Sequence, residues 1–413
     1  MASATRIERD LIGELALPAD ALFGIHSQRA LLNCSFSQHR LSDYPVYVRS
    51  LAQVKRAAAR ANRTAGVLDE RLANAIEAAC ETLIAGRYLD QFPVDLLAGG
   101  GGIAVNMNVN EVIANLANEA LGGRRGVYDP VHPKQHVNAS QSTADVCHTA
   151  TRLALLDQWV GLQRALDACG VALRAKATEF APVMTLSRTC LQDGLAVSMG
   201  ELFGGYAALL GRRTTELART VEALRQVNLG GTVIGSGDGA PDAYRAAVLP
   251  ALNDITGQQL TARENLYDAA QNIDDLASVS TQLALLADSM MKIAQDLRLL
   301  SSGPDGGFGE LRLPAVQEGS SFFAAKINPV VPETMLQCGF QVLACDRAVQ
   351  LALERGELHL NVFEGVAAVN LFDAFAMLTN GVTLFAERCV SGIRVNEERC
   401  RALAAFGKST IQR

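Results

Sequence analysis

An all-α fold of long, near-parallel helices is what this 413-residue sequence predicts, and three observations predict it. Aromatic residues make up only 5% while alanine and leucine abound, a composition that favours helix over sheet. Leu276, Val279, Leu283, Leu286, Met290, Ile293, Leu297 and Leu300 alternate steps of three and four residues, a heptad seam on a rod about 37 Å long. Leu155, Trp159, Leu162, Leu166, Cys169 and Leu173 repeat that spacing, so two long helices are cut for bundle packing.

From the N-terminus, an initial region ends near residue 140 and a long helical body follows. Gly/Pro-containing joins at 99–102, 129–133, 230–241 and 303–319 are candidates for ordered, working loops. Ser301-Ser302-Gly303-Pro304 halts the heptad rod, because proline cannot continue the hydrogen-bond ladder. Ala277, Ala284, Ala287 and Ala294 flank the seam and admit a second close neighbour. Each rod then has more than one apolar side to cover, which predicts a homo-oligomer.

With 37 basic against 43 acidic residues and no Lys/Arg-rich run, the net charge of -6 excludes electrostatic nucleic-acid binding. Nine scattered cysteines, no Cys-x-x-Cys and no secretory leader ahead of Arg6 predict reduced thiols in a cytoplasmic protein. No window holds the roughly 18 to 20 uninterrupted apolar residues of a spanning helix, so no membrane segment is expected. Gly407-Lys408-Ser409 lacks the leading glycine of a phosphate loop, since Ala402 stands there, and 235–239 lacks the dinucleotide glycine spacing. The histidines offer only the loop pair His132 and His136, and no metal site is expected.

Three polar stretches, each preceding a helical pattern, are the informative ones: 106–111, 136–145 and 319–329. Hydroxyls, amides and backbone donors at helix N-termini suit the binding of carboxylates. Ordinary helix capping explains Ser142 or Asp145 equally well on pattern alone.

These stretches, with Arg6-Ile7-Glu8-Arg9-Asp10, Gly24-Ile25-His26, residues 187–193, Val227-Asn228-Leu229-Gly230-Gly231 and Leu360-Asn361-Val362-Phe363-Glu364, resemble the aspartase/fumarase superfamily over nearly the whole chain. Within it the sequence is most similar to the ammonia-lyase members, and the Gly-Ser-Ser loop followed by Lys326, Asn328 and Pro329 is the most specific element. The resemblance implies an all-α homotetramer whose central helices form one shared bundle. It divides the chain into an N-terminal domain at 1–140, a central long-helix domain at 141–390 and the remnant of a small C-terminal domain at 391–413. The chain is expected to lack most of that last domain.

The implied chemistry is reversible β-elimination from a succinyl-type, dicarboxylate substrate, without a cofactor. Ser320 would be the base, helped by Lys326, by backbone donors and by a helix beginning near Pro332. Asn108, Ser142, Thr143, Thr189, Cys190, Ser321 and Asn328 match substrate-binding positions of the family. Several departures converge on the pocket. Ile103-Ala104-Val105 replaces a polar Thr-Ser-Thr, Ala144 replaces asparagine and Cys190 replaces histidine or glutamine. Each lost charge-assisted contact weakens binding by about 1.5 to 3 kcal/mol, so a substrate other than plain aspartate is expected, bulkier or less polar at one end. In the loop, Phe322-Phe323 replaces smaller residues and Ala324-Ala325 replaces Pro-Gly, with strain expected if Ala325 takes positive φ. The alternatives are an ordinary aspartate ammonia-lyase, a fumarase-like hydratase, and a non-catalytic scaffold of the same fold.

Overall fold

A computed structural model describes residues 4–408 and is overwhelmingly helical. A hairpin of β1 (Thr5–Asp10) and β2 (Gly13–Pro18) leads into α1 (Ile25–Cys34), α2 (Pro45–Thr64), α3 (Glu70–Ile84) and α4 (Ile103–Ala120). The 37-residue α5 (Thr143–Glu179) follows, then the β3 (Met184–Thr189) and β4 (Gln192–Ser198) hairpin and α6 (Met199–Val221). Two-residue β5 (Gln226–Val227) pairs in parallel with β6 (Thr261–Ala262) around α7 (Asp242–Thr256), and short α8 (Leu266–Gln271) precedes the rod α9 (Asp274–Leu300). β7 (Leu311–Arg312), α10 (Val330–Glu354), α11 (Glu364–Arg388), β8 (Arg394–Val395) and α12 (Glu397–Ala404) complete the chain.

Compactness divides the molecule into two units built from interleaved segments, whereas the division expected from the sequence runs consecutively along the chain. One unit takes the residues up to Gln158 with Val221–Ser278 and Arg347–Phe372. The other takes Trp159–Thr220, Val279–Asp346 and the residues from Asp373 on.

In the first unit α2 packs on α3 and α7, and α4 on α1 and α3. Pro45 at the first turn pre-sets α2, and alanine-rich turns carry it forward. Its buried stripe reads Val48, Leu51, Lys55, Ala58, Asn62, so two polar residues hold positions where the three-four spacing calls for apolar ones. The N-terminus of α1 is received by Glu111 of α4, whose carboxylate accepts from the backbone N–H groups of Gly24 (2.9 Å), His26 (2.8 Å) and Ser27 (3.2 Å) and from the Ser27 hydroxyl (2.6 Å). A Cβ at Gly24 would stand 2.0 Å from the Tyr128 hydroxyl and 2.8 Å from the Glu111 carboxyl, so only glycine permits this approach.

The same unit buries an ion network. Arg152 of α5 clasps Asp275 of α9 through Nε (2.7 Å) and Nη2 (2.9 Å) and reaches Glu364 of α11 at 3.3 Å, while His148 Nε2 lies 3.2 Å from Glu364. Such a bidentate pair satisfies both charges where water is absent.

In the second unit the seam residues Val279, Leu283, Leu286, Met290, Ile293 and Leu297 are all buried, as the heptad spacing predicts; Leu300 is half-buried at the helix end. α12 packs on β3, and β7 pairs antiparallel with β8. By length and composition alone, Glu364–Gly392 passes as a membrane span at a mean hydropathy of 1.3, which the sequence reading does not expect. Half of that window is buried inside the protein, and its acidic start holds Arg152, so it is a core helix.

Candidate active site

The expected site residues fall into two groups, one in each unit. In the first unit the chain turns through Asn138–Thr143 into α5. Ser142 caps the helix: its Oγ accepts from the Ala144 N–H (3.3 Å), and Asp145 Oδ1 accepts in return from the Ser142 N–H (2.9 Å), a capping box. The other oxygen of Asp145 accepts from Gly230 (3.1 Å) and Thr232 (3.2 Å), which ties the 228–232 motif to the start of α5. Ser142 and Thr143 line a cavity of about 450 Å³ with Gln141, Thr232, Ser236 and Asp238.

Beneath this turn lies a cluster of buried amides. Asn106 and Asn110, one helical turn apart on α4, both donate to Asn138 Oδ1, at 3.0 and 3.1 Å, and Asn106 also donates to Thr143 Oγ1 at 3.1 Å. Lys55 donates to the same Asn138 oxygen at 2.9 Å. Asn62 donates to the Ala139 carbonyl (2.9 Å) and accepts from the Ser140 hydroxyl (2.7 Å), holding Ser140 at a φ of 60°. Burial pushes the Lys55 ammonium down to about 7 and the Asp145 carboxyl up to about 7.

Asn108 stands on another face of α4 from Asn106 and Asn110 and donates to the Gln91 carbonyl (3.0 Å), so the structure does not bring it to Ser142 and Thr143. Ala144 is buried directly behind the cap, and Ile103, the first residue of α4, is 46% exposed.

In the second unit Thr189 and Cys190 sit at the exposed tip of the β3–β4 hairpin. Cys190 and Leu191 have φ of 53° and 58°, the positive pair that a two-residue type I′ turn requires. Next to this tip Arg188 pairs with buried Glu310 (2.7 Å) and stacks on Phe308 (4.2 Å), beside a cavity of about 490 Å³.

Ser320, Ser321, Lys326 and Asn328 share one loop, closed at its neck. The Gly319 N–H donates to the Lys326 carbonyl (2.7 Å), and Asn328 Nδ2 donates to the Gly319 carbonyl (2.7 Å). Within it Ser320 Oγ accepts from the backbone N–H groups of Phe322 (3.0 Å) and Phe323 (2.8 Å). Two amides aimed at one hydroxyl oxygen form the arrangement that stabilises an oxyanion. Lys326 Nζ lies 6.0 Å from the centre of the Phe323 ring, and Phe322 and Phe323 meet edge to face, exposed by 85% and 59%. Ser321 is exposed and Ser320 half-buried. Ala325 has a φ of 59°, the strained conformation anticipated for alanine in place of glycine. The following helix begins at Val330, two residues before the expected Pro332, which fits within its first turn.

The sequence reading passed over Lys55 and Asn62 on α2 and the Arg152–Asp275–Glu364 network. For the first pair a signal exists: both interrupt an apolar stripe at three-four spacing.

The first unit offers hydroxyls at a helix N-terminus, and the second offers a hydroxyl whose oxygen is held by two amides, with a cation on the same loop. The family described as Lyase matches residues 13–344. An aspartate ammonia-lyase of Helicobacter pylori (strain J99 / ATCC 700824) is 42% identical over 395 residues, 96% of this chain and 84% of that one. An aspartate ammonia-lyase of Pseudomonas aeruginosa is 44% identical over 402 residues, 97% of this chain and 85% of that one. Among solved structures, a fumarate lyase:delta crystallin from Brucella melitensis, bound to cobalt, superposes with a TM-score of 0.95 at 46% identity, covering 97% of this chain and 87% of that one. A class II fumarase from Schistosoma mansoni gives 0.94 at 28% identity, with the same coverages of 97% and 87%.

Proposed function

The chain belongs to the aspartase/fumarase superfamily of lyases, and from that premise we propose that it cleaves a carbon-nitrogen bond by β-elimination with Ser320 as the base. The observation that carries the reading is the Ser320 hydroxyl, whose oxygen accepts two backbone N–H bonds within the loop that bears Lys326. Deprotonated, that oxygen keeps both donors. It then removes a proton from the carbon next to a carboxylate, and the nitrogen on the neighbouring carbon departs with the electron pair. Lys326 and Asn328 are read as gripping the carboxylate whose charge builds during proton removal, with Ser142, Thr143 and Ser321 on the other.

The substrate is read as aspartate-like or an N-substituted succinyl compound. Supporting this, none of Ile103, Ala104 and Val105 carries a side-chain hydrogen-bond donor, and Ala144 presents only a methyl. The exposed rings of Phe322 and Phe323 add apolar surface beside the base. The working form is read as a homotetramer: Val160, Val171, Leu285, Phe340 and Leu351 are exposed on the long helices and need a cover. Its cysteines are free, in keeping with a cytoplasmic location.

The test is purified protein with fumarate and a panel of amines, following the ultraviolet loss of the double bond and identifying products by mass spectrometry. An adduct through nitrogen is expected. Hydration alone makes the protein a hydratase, and no product in either direction makes it a scaffold. The joint variant Ala144→Asn with Cys190→His should raise aspartate turnover; no gain removes the account of the altered pocket.

A further inference from the structure

The turn that presents Ser142 and Thr143 is braced from below by one fully buried lysine. Lys55 donates to Asn138 Oδ1 (2.9 Å), the oxygen that also receives Asn106 and Asn110 at 3.0 and 3.1 Å. The second hydrogen of Asn106 Nδ2 goes to Thr143 Oγ1 at 3.1 Å. Asn138 uses its own Nδ2 on the Gln141 carbonyl at 3.0 Å.

The direction of each of these bonds follows from the lysine. Below its pKa of about 7 Lys55 is an ammonium, which only donates, whereas an asparagine amide occupies the same space whichever way it is turned. Facing Lys55, Asn138 must present oxygen. Asn106 and Asn110 must then present nitrogen, and Thr143 Oγ1 must accept. A threonine hydroxyl has one hydrogen, which is thereby left for a ligand in the cavity that Thr143 lines. The buried Oδ1 atoms of Asn106 and Asn110 have no partner among the described residues. Leaving two amide oxygens bare is unfavourable, so their orientation is imposed by the acceptor at Asn138.

We infer that Lys55 is a positioning residue for a substrate carboxylate: by fixing Asn138 and Asn106 it makes the Thr143 hydroxyl a donor into the cavity. This rests on the reading of Thr143 as a carboxylate contact. Asp145, in the first turn of α5, supplies the nearby negative charge that favours the cation, and Lys55 itself never meets the ligand.

The experiment titrates the whole protein with succinate, an unreactive dicarboxylate, by calorimetry. It compares wild type with Lys55→Met, Lys55→Gln, Thr143→Val and the Lys55→Met/Thr143→Val pair. One hydroxyl-to-carboxylate bond corresponds to roughly tenfold in affinity or more. Thr143→Val should lose that factor, and Lys55→Met and Lys55→Gln should each lose at least about fivefold with folding intact. The double variant should bind within about twofold of Thr143→Val, because the lysine acts through the threonine. In amination of fumarate, Lys55→Met should raise KM while kcat stays within about threefold.

Wild type that does not bind succinate, or Thr143→Val without effect, overturns the carboxylate reading and this inference with it. Unchanged affinity in either folded Lys55 variant, or independent effects in the double variant, overturns the inference alone. Loss of a cooperative melt in both Lys55 variants makes the lysine structural and likewise overturns it.

Discussion

Replacing Ser320 by alanine tests the core of the mechanism, because the hydroxyl's surroundings separate its chemical role from any structural one. Its oxygen accepts from two backbone N–H groups at 3.0 and 2.8 Å. A hydrogen bond to a charged acceptor contributes about 1.5 to 3 kcal/mol, so two favour the alkoxide by about 3 to 6 kcal/mol. Removing the base should cost a factor of about 10² to 10⁴ in kcat. The two donors belong to Phe322 and Phe323, both exposed, so water replaces the lost acceptor and stability should fall by less than about 1 kcal/mol. Ultraviolet assay of fumarate consumption measures the first quantity and thermal melting the second. Turnover within tenfold of wild type refutes the base assignment. A large drop in melting temperature with proportionate loss of activity shows that Ser320 serves the fold instead.

Three further variants probe the frame around the site. Arg152→Met strands Asp275 and Glu364 without their guanidinium and should destabilise by about 3 to 5 kcal/mol in chemical denaturation; a loss below about 1 kcal/mol removes the network from the stability of α5, α9 and α11. Ala325→Gly relieves a positive φ worth about 1 kcal/mol or more, offset by the greater freedom of unfolded glycine, and should raise the denaturation midpoint slightly; a fall contradicts the strain. The hydrogen bond from Arg29 lowers the Asp10 carboxyl to about 2 from 3.8, so its contribution is present above pH 4 and lost as the pH falls towards 2. Asp10→Asn should therefore lower stability at pH 7 and lose its effect as the pH falls through about 2, and an effect independent of pH contradicts the pairing.

What was legible from residues alone followed periodicity and turn chemistry. The rod α9 lies where its three-four seam lies, since one apolar residue per turn on one side can be covered only as a helix. The glycine-to-alanine exchange at 325 correctly signalled a positive φ. Capping and substrate contact, equal on pattern at Ser142, are not rivals in the structure: the oxygen caps Ala144 and the hydrogen remains free. Other features were out of reach. Asn106 and Asn108 look alike in sequence, but a step of two on a helix turns a side chain through some 200°, which sends one to Thr143 and the other to Gln91. The Arg152–Asp275 pair spans 123 positions, and no local pattern joins residues so distant.

The interleaving of the two compact units bears on synthesis. Neither core is complete when its first segment leaves the ribosome: the unit that holds Ser142 needs residues up to Phe372, and the other opens at Trp159 yet takes in the chain beyond Asp373. Domain-by-domain folding of the nascent chain, at about 5–20 residues per second, is therefore closed to this topology, and helices of the first unit stay uncovered until the chain has grown past Phe372.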